Sequence, residues 1–429
     1  MSDQLANSRK EPSQVMKFGG TSVGDAAAIR RVVEIVHASS RASRVVVVVS
    51  AMSGVTNQLL EAARQAEAGN RDRVRALWDD LRFRHRTTVN ELVRCGPERR
   101  RLHLVIEGLF EEGERLCKDT VLFGDLTLRA RDAISGLGER MSAPIIAAAL
   151  NERGVASEAV EATELIRTDS HYGAAEPDMA VTRELCQERL CPLLQEGLVP
   201  VVTGFIGATG DGTLTTFGRG GSDYSAAILG AALDADEITV WTDVDGLMTA
   251  DPRLIPSAST IAHISYREAA ELARYGAKVL HPKTLSPVAE CGIPVRIRNT
   301  FAPQRPGTHI LPFTSGNGGE ITALAMMSDP ADASFAKVTA VGRNMRDAVI
   351  IGRILTALAS HGVNLVSVPF RAEQSFSFSV AKRDVKRALE ALHSEFRLGG
   401  LDLPASAENL APPAETWLYA PAQGAASAD

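Results

Sequence analysis

The 429-residue sequence lacks several features that mark whole classes of protein. No apolar run approaches the ~18–20 residues that a membrane helix needs, which argues against an integral membrane protein. Lys and Arg total 46 against 52 Asp and Glu, a formal charge of −6, and no Lys/Arg block stands out. That balance gives no electrostatic case for a nucleic-acid partner. The five cysteines, Cys95, Cys117, Cys186, Cys191 and Cys291, contain no C-x-x-C pair and so no zinc or thioredoxin signature. Cys186 and Cys191 fall on a predicted helix as packing residues. Residues 1–14 are polar and lack the apolar core of a secretory signal, which together with the cysteines points to a reducing cytoplasm. Also missing are the G-x-x-x-x-G-K-[ST] and G-x-G-x-x-G nucleotide motifs, G-x-S-x-G, and H-E-x-x-H. No short-period repeat is present.

What remains is a chain 45% hydrophobic and 23% charged, enough for two or three domains with real cores. A strand at 15–18 ends in Gly19-Gly20, and a helix with apolar residues at helical spacing follows at 26–39. The run Arg44-Val-Val-Val-Val-Val-Ser50 reads as a strand covered on both faces, as in a parallel sheet. Residues 57–135 read as mostly helical, 144–152 as an apolar helix and 155–162 as a short strand and turn. Strands at 198–203 and 237–242 flank a helix at 222–233. This alternation predicts an α/β fold with a largely parallel sheet over 15–312. A Gly/Ser-rich linker is expected at 313–320. The order β-α-β-β-α then suggests a small α+β module of ferredoxin-like type within 321–400. Its last strand is not evident, and Trp417-Leu-Tyr419 is a weak match. Residues 1–14 and 401–429 read as flexible tails.

Four clusters stand where strands give way to loops or helices, the edge at which open α/β sheets bind ligands. In Lys17-Phe-Gly-Gly-Thr-Ser22, two glycines allow close backbone approach to a phosphate and Lys17 adds a charge. A plain strand-to-helix turn would look much the same. Ser50-Ala-Met-Ser-Gly-Val-Thr-Asn57 offers small hydroxyl residues beside a buried strand, or a loop in which Ser53 or Thr56 caps a helix. Glu139, in Gly138-Glu139-Arg140, is either a carboxylate matched to a helix N-terminus or a partner for a substrate amine. Thr215-Thr-Phe-Gly-Arg-Gly-Gly-Ser-Asp-Tyr224 is the strongest signal. Its glycines can wrap an anion, Arg219 can clamp a carboxylate or phosphate, and Asp223 opens the next helix. A fifth segment, Trp241 to Arg253, is not an EF-hand because no Glu closes the loop, and it suits a nucleotide contact. Lys278 supplies a further cation, and His281 reads as structural.

Taken in order, these segments and Gly276–Pro282 resemble the aspartate kinases, members of the amino-acid kinase family. The resemblance covers about 15–312 and extends more weakly to 396. It implies a three-layer amino-acid kinase fold followed by a regulatory ACT module. It implies MgATP-dependent phosphorylation of the L-aspartate side-chain carboxylate to 4-phospho-L-aspartate, a step that feeds aspartate-derived amino acids. Carried over, Lys17 and Asp223 would be catalytic, with Asp223 orienting Lys17 or the metal. Ser50, Thr56, Glu139, Arg219 and Ser222 would hold the amino acid, Glu139 on its ammonium and Arg219 on its α-carboxylate. Lys17, Gly19, Gly20, Thr242, Asp243, Met248, Arg253, Lys278 and Val279 would contact ATP, and Met248 stands where many relatives carry a tyrosine. No residue is assigned as a dedicated metal ligand.

Aspartate kinases usually carry two ACT modules, and only about one fits here. Feedback inhibition by lysine or threonine is therefore expected to be lost, with the module serving as a homodimer contact. The alternatives are an enzyme of the same fold acting on another amino acid, or a non-catalytic relative.

Overall fold

A computed structural model describes residues 13–276, 282–312, 320–329, 332 and 334–399. The chain opens with β1 (Ser13–Phe18), α1 (Ala26–Ser39) and β2 (Arg44–Val49), so the first strand begins two residues earlier than predicted. Four long helices follow: α2 (Val55–Glu67), α3 (Arg71–Leu92), α4 (Gly96–Phe123) and α5 (Leu128–Arg153). Next come β3 (Ser157–Val160), α6 (Met179–Gln195), β4 (Val199–Thr203) and the hairpin β5 (Ile206–Ala208) and β6 (Leu214–Thr216). The region closes with α7 (Gly221–Ala232), β7 (Glu237–Thr242), β8 (His263–Ser265), α8 (Tyr266–Arg274), α9 (Ser286–Cys291), β9 (Val295–Asn299) and β10 (Thr308–Leu311).

Eight of these strands form one sheet in the order β3-β4-β2-β1-β7-β9-β10-β8, parallel from β3 through β9. Strand β10 runs antiparallel to β9. The valine run shows why the fold has three layers. Val45, Val47 and Val49 face a core built with α1 to α5, while Val46 and Val48 face a second core built with α6 to α9. Side chains alternate across a strand, so an unbroken apolar run is stable only where both faces are covered.

Helix α5 departs from the sequence reading. Pro144 was expected to open a helix, the position where its missing N–H costs nothing. Instead the helix runs from Leu128 through Pro144 to Arg153, so Pro144 cannot donate to the Arg140 carbonyl. Sixteen of its residues are buried, and that packing outweighs one lost hydrogen bond. Glu139 therefore lies in mid-helix and not in a first turn.

The C-terminal module comprises β11 (Ile321–Ser328), β12 (Phe335–Gly342), α10 (Ala348–Ser360), β13 (Leu365–Arg371), β14 (Ser375–Ala381) and α11 (Val385–Glu395). Its antiparallel sheet has the order β11-β12-β14-β13. The fourth strand thus precedes the β-α-β-β-α series, paired with β12 from Ile321 to Ser328. Trp417, Tyr419, most of the expected linker and the 401–429 tail lie outside the described residues. Ala250 and Ile255, from the segment after β7, are buried in this module's core.

Candidate active site

The carboxyl ends of β1, β2, β4 and β7 open into one cavity of about 610 Å³. The chain leaves β1 to one side to form β2 and later returns on its other side as β7. That reversal creates the crevice in which doubly wound sheets bind ligands. Two helices point their N-termini into it. Helix α2 starts from Gly54 at φ 81° and α7 from Gly220 at φ 73°, both in the left-handed region that suits glycine. Neither has a side-chain cap. Ser53 and Thr56 therefore do not cap α2. The Val55 and Gly221 N–H groups donate to the Met52 and Gly218 carbonyls, and the next N–H groups of each first turn are left for an anionic ligand.

Lys17, on the last turn of the pleat before Gly19, is 8% exposed. Its Nζ lies 2.6 Å from Asp223 Oδ1, without the alignment of a hydrogen bond. A Cβ on Gly19 would lie 3.4 Å from that Nζ, and one on Gly20 3.2 Å from the Ala51 carbonyl oxygen. The glycines thus keep the space around the cation clear. Glu139 reaches the cavity from α5 and is 3% exposed, with Oε2 buried and without a hydrogen-bond partner. Burial pushes its pKa up to about 8, against the downward pull of the Ala51 and Glu139 backbone amides, Lys17 and Ser222. Helix α5 comes this close because residue 138 is glycine: a Cβ there would lie 2.6 Å from Ala51 Cβ.

The cavity gathers Lys17, Gly19, Gly20, Ser50, Thr56, Glu139, Ser222, Asp223, Thr242 and Asp243 from the sequence-derived set. Gly218 and Gly220 line it, but Arg219 between them is exposed and makes no ion pair among the described residues. Met248 and Arg253 do not line it. Met248 is bridged to Thr260, with its sulfur 3.6 Å from Thr260 Oγ1. Arg253 is held by Asp251 at 2.6 Å. Lys278 and Val279 lie outside the described residues. Sequence reasoning missed Phe205, which lines the cavity at φ 70°. Its N–H donates to Ser225 Oγ at 2.9 Å and its carbonyl accepts from Phe217. A left-handed phenylalanine is strained and needs such support, and nothing in the sequence around it signals that conformation.

Chemically, the cavity offers a cation beside an anion-binding backbone and, separately, a buried carboxyl with an unanswered oxygen. That set suits a phosphate group and an ammonium group bound side by side. Among the described residues, no helix is long and apolar enough to cross a membrane.

Comparison with known proteins agrees with this arrangement. Residues 13–299 match the amino acid kinase family and residues 338–396 an ACT domain. The chain is 40% identical over 299 residues to lysine-sensitive aspartokinase 3 of Escherichia coli, covering 68% of this chain and 63% of that protein. It is 32% identical over 375 residues to an aspartokinase of Schizosaccharomyces pombe, covering 83% and 71%. The crystal structure of E. coli aspartokinase III in complex with aspartate and ADP superposes with a TM-score of 0.78 at 28% identity, over 90% of this chain and 99% of that one. The chain thus spans less than two thirds of the E. coli protein in sequence alignment, while the family match alone takes in most of its own length. By fold, motif order and sequence, the chain belongs to the amino acid kinase family, among its aspartokinases.

Proposed function

We propose that the chain transfers the γ-phosphoryl group of ATP to the side-chain carboxylate of L-aspartate, giving 4-phospho-L-aspartate and ADP. The observation that carries this reading is Glu139: a buried carboxyl with a partnerless oxygen, in the same cavity as the Lys17–Asp223 pair and two uncapped helix N-termini. An amino acid supplies the ammonium that Glu139 lacks. The structural relative bound to aspartate and ADP supports the same pairing of ligands.

In this reading an oxygen of the aspartate carboxylate attacks the γ-phosphorus, and the bond to the β-phosphate oxygen breaks. The attacking carboxylate is already ionised at neutral pH, so no proton has to be removed. The protein's work is positioning and charge neutralisation. Lys17 offsets the charge on the transferring group, and Asp223 holds Lys17 in place. Gly19, Gly20 and the α7 N-terminus line the phosphates, with Thr242 and Asp243 on the nucleotide side. Ser50, Thr56, Glu139 and Ser222 hold the amino acid, and Arg219 clamps its α-carboxylate. Mg²⁺ would be carried chiefly by the nucleotide phosphates, and Asp223 and Asp243, which line the cavity, are the carboxylates that would hold it there. When bound, Mg²⁺ adds electrostatic neutralisation of the phosphates.

The reading extends to a cytoplasmic homodimer joined through the ACT module and insensitive to lysine and threonine. A single four-stranded ACT sheet among the described residues and five unpaired cysteines support it. The test is ADP release with MgATP and a panel of amino acids, with lysine and threonine added singly and together, and chromatography of the native chain. Turnover selective for L-aspartate and unchanged by either effector is expected. Selectivity for another amino acid would overturn the substrate, and absence of turnover would overturn the activity.

A further inference from the structure

Helix α5 carries a second buried carboxylate two turns before Glu139. Asp132 is 2% exposed. Among the described residues it faces no cation at ion-pair distance, yet it accepts three hydrogen bonds. The Gly173 and Thr216 amides each donate to Oδ2 at 2.8 Å, and the Thr216 hydroxyl donates to Oδ1 at 2.9 Å. Neither partner lines the cavity itself, but both abut the turn whose Gly218 and Gly220 do. Thr216 ends β6 and leads directly into Phe217-Gly218-Arg219-Gly220, the turn that presents Arg219. Gly173 packs against that turn, since a Cβ on Gly218 would lie 2.6 Å from the Gly173 carbonyl oxygen. The Ala175 amide closes the arrangement by donating to the Thr216 carbonyl at 3.0 Å.

We infer that Asp132 is a positioning residue that sets the Arg219 turn in register with Glu139. The inference rests on the roles proposed above for Glu139 and Arg219. Both carboxylates stand on one rigid helix, seven residues and about 10 Å apart. One binds the ligand's ammonium, and the other anchors the turn that clamps its α-carboxylate. The separation of the two recognition points is thus built into α5. A small loop displacement is enough to disturb it, because an error of about 1 Å in substrate placement costs up to ~100-fold. The carboxylate answers all three donors at once. An asparagine with its oxygen on the two amides would turn its NH₂ to the Thr216 hydroxyl, which would then have to rotate from donor to acceptor.

Asp132→Asn in the full chain tests this. The expected result is a rise in the aspartate KM of about 10- to 100-fold with the ATP KM within about twofold of wild type. Two further readouts separate positioning from folding. The aspartate α-amide, which lacks the α-carboxylate, should show the same KM in wild type and variant. In an Arg219→Ala background, Asp132→Asn should add nothing, because residues acting through one another are non-additive. Thr216→Val, which removes one of the three donors, should shift the aspartate KM the same way by about 3- to 10-fold, and it carries the test if Asp132→Asn does not fold. Equal losses for both substrates, or full additivity with Arg219→Ala, would make Asp132 a purely structural residue and overturn the inference. Wild-type turnover of aspartate reports on the proposed function separately. If the panel identifies a different amino acid, the same comparisons with it and its α-amide decide the matter.

Discussion

Binding of the amino acid should expel a proton from the enzyme. Burial holds Glu139 near a pKa of about 8. At pH 7 that leaves about nine in ten sites neutral. Pairing with an ammonium requires the carboxylate, so loading aspartate at pH 7 should release about 0.9 proton, falling to about 0.1 at pH 9. The linked consequence is an aspartate KM that falls about tenfold per unit as pH rises below 8 and levels above it. Calorimetric titration in two buffers of different ionisation enthalpy reads the proton directly. Glu139→Gln should remove both the slope and the release, and should raise the aspartate KM by about 10- to 100-fold, the worth of one charge-assisted hydrogen bond. The same shift has an opposite effect on stability. The folded pKa lies above the unfolded 4.5, so the native state gains from protonation and loses that gain as pH rises through 8. At pH 9 Glu139→Gln should therefore be the more stable protein, by an amount of the order of 4 kcal/mol. A pH-independent aspartate KM between 6 and 8, with no proton released, would refute the reasoning.

Lys17→Ala should lower kcat by about 10²- to 10³-fold while the aspartate KM changes little, because its charge counts most in the transition state; an unchanged kcat in steady-state assays would remove Lys17 from the mechanism. Gly204→Ala should destabilise the protein by about 1–3 kcal/mol in denaturant titrations, since a Cβ there would lie 2.7 Å from Ser222 Cβ and 2.9 Å from the Val49 carbonyl oxygen. His85 is fully buried with a pKa pushed down to about 4, chiefly by burial. The native state resists its protonation, so stability is complete above the unfolded value near 6.5 and should drain by about 3 kcal/mol as pH falls to 4. His85→Gln should flatten that part of the pH–stability curve, and an unchanged curve would show that other groups drive acid unfolding.

The sequence discloses those parts of the molecule whose physics is local. A five-valine run can only be a strand covered on both faces. Glycines at 54, 218 and 220 mark positive φ at the cavity rim. Strand-end glycines beside Lys17 mark a phosphate-sized opening. Where two local signals competed, the reading failed: proline at 144 suggested a helix start, but the apolar burial on either side of it carries α5 straight through. Strand β11 falls within the expected module, yet its place as the fourth strand of the ACT sheet is a matter of pairing and not of pattern. Asp132 has no local signature at all. Its partners lie 41 and 84 residues away, and only the closed fold brings them together.

The charges that line the cavity also account for why the proposed transfer needs no base. Lys17 is answered by Asp223, and Glu139 by the proton that burial keeps on it. Each ligand then brings the charge that its partner lacks: the ammonium displaces the proton from Glu139, and the phosphates draw on Lys17 and the helix N-termini. In the proposed transfer, the barrier left is repulsion between the incoming aspartate carboxylate and the nucleotide's phosphates. At 4 Å and an effective dielectric of about 20 it amounts to roughly 4 kcal/mol per pair of unit charges. A buried lysine between the two anions cancels a term of that size, about three powers of ten in rate. Neither Asp223 nor Glu139 then has a proton to take from the nucleophile, which is ionised well below neutral pH. With both substrates saturating, kcat should therefore be flat from pH 7 to 9 even as the aspartate KM titrates, because the pH dependence belongs to loading the site and not to the transfer.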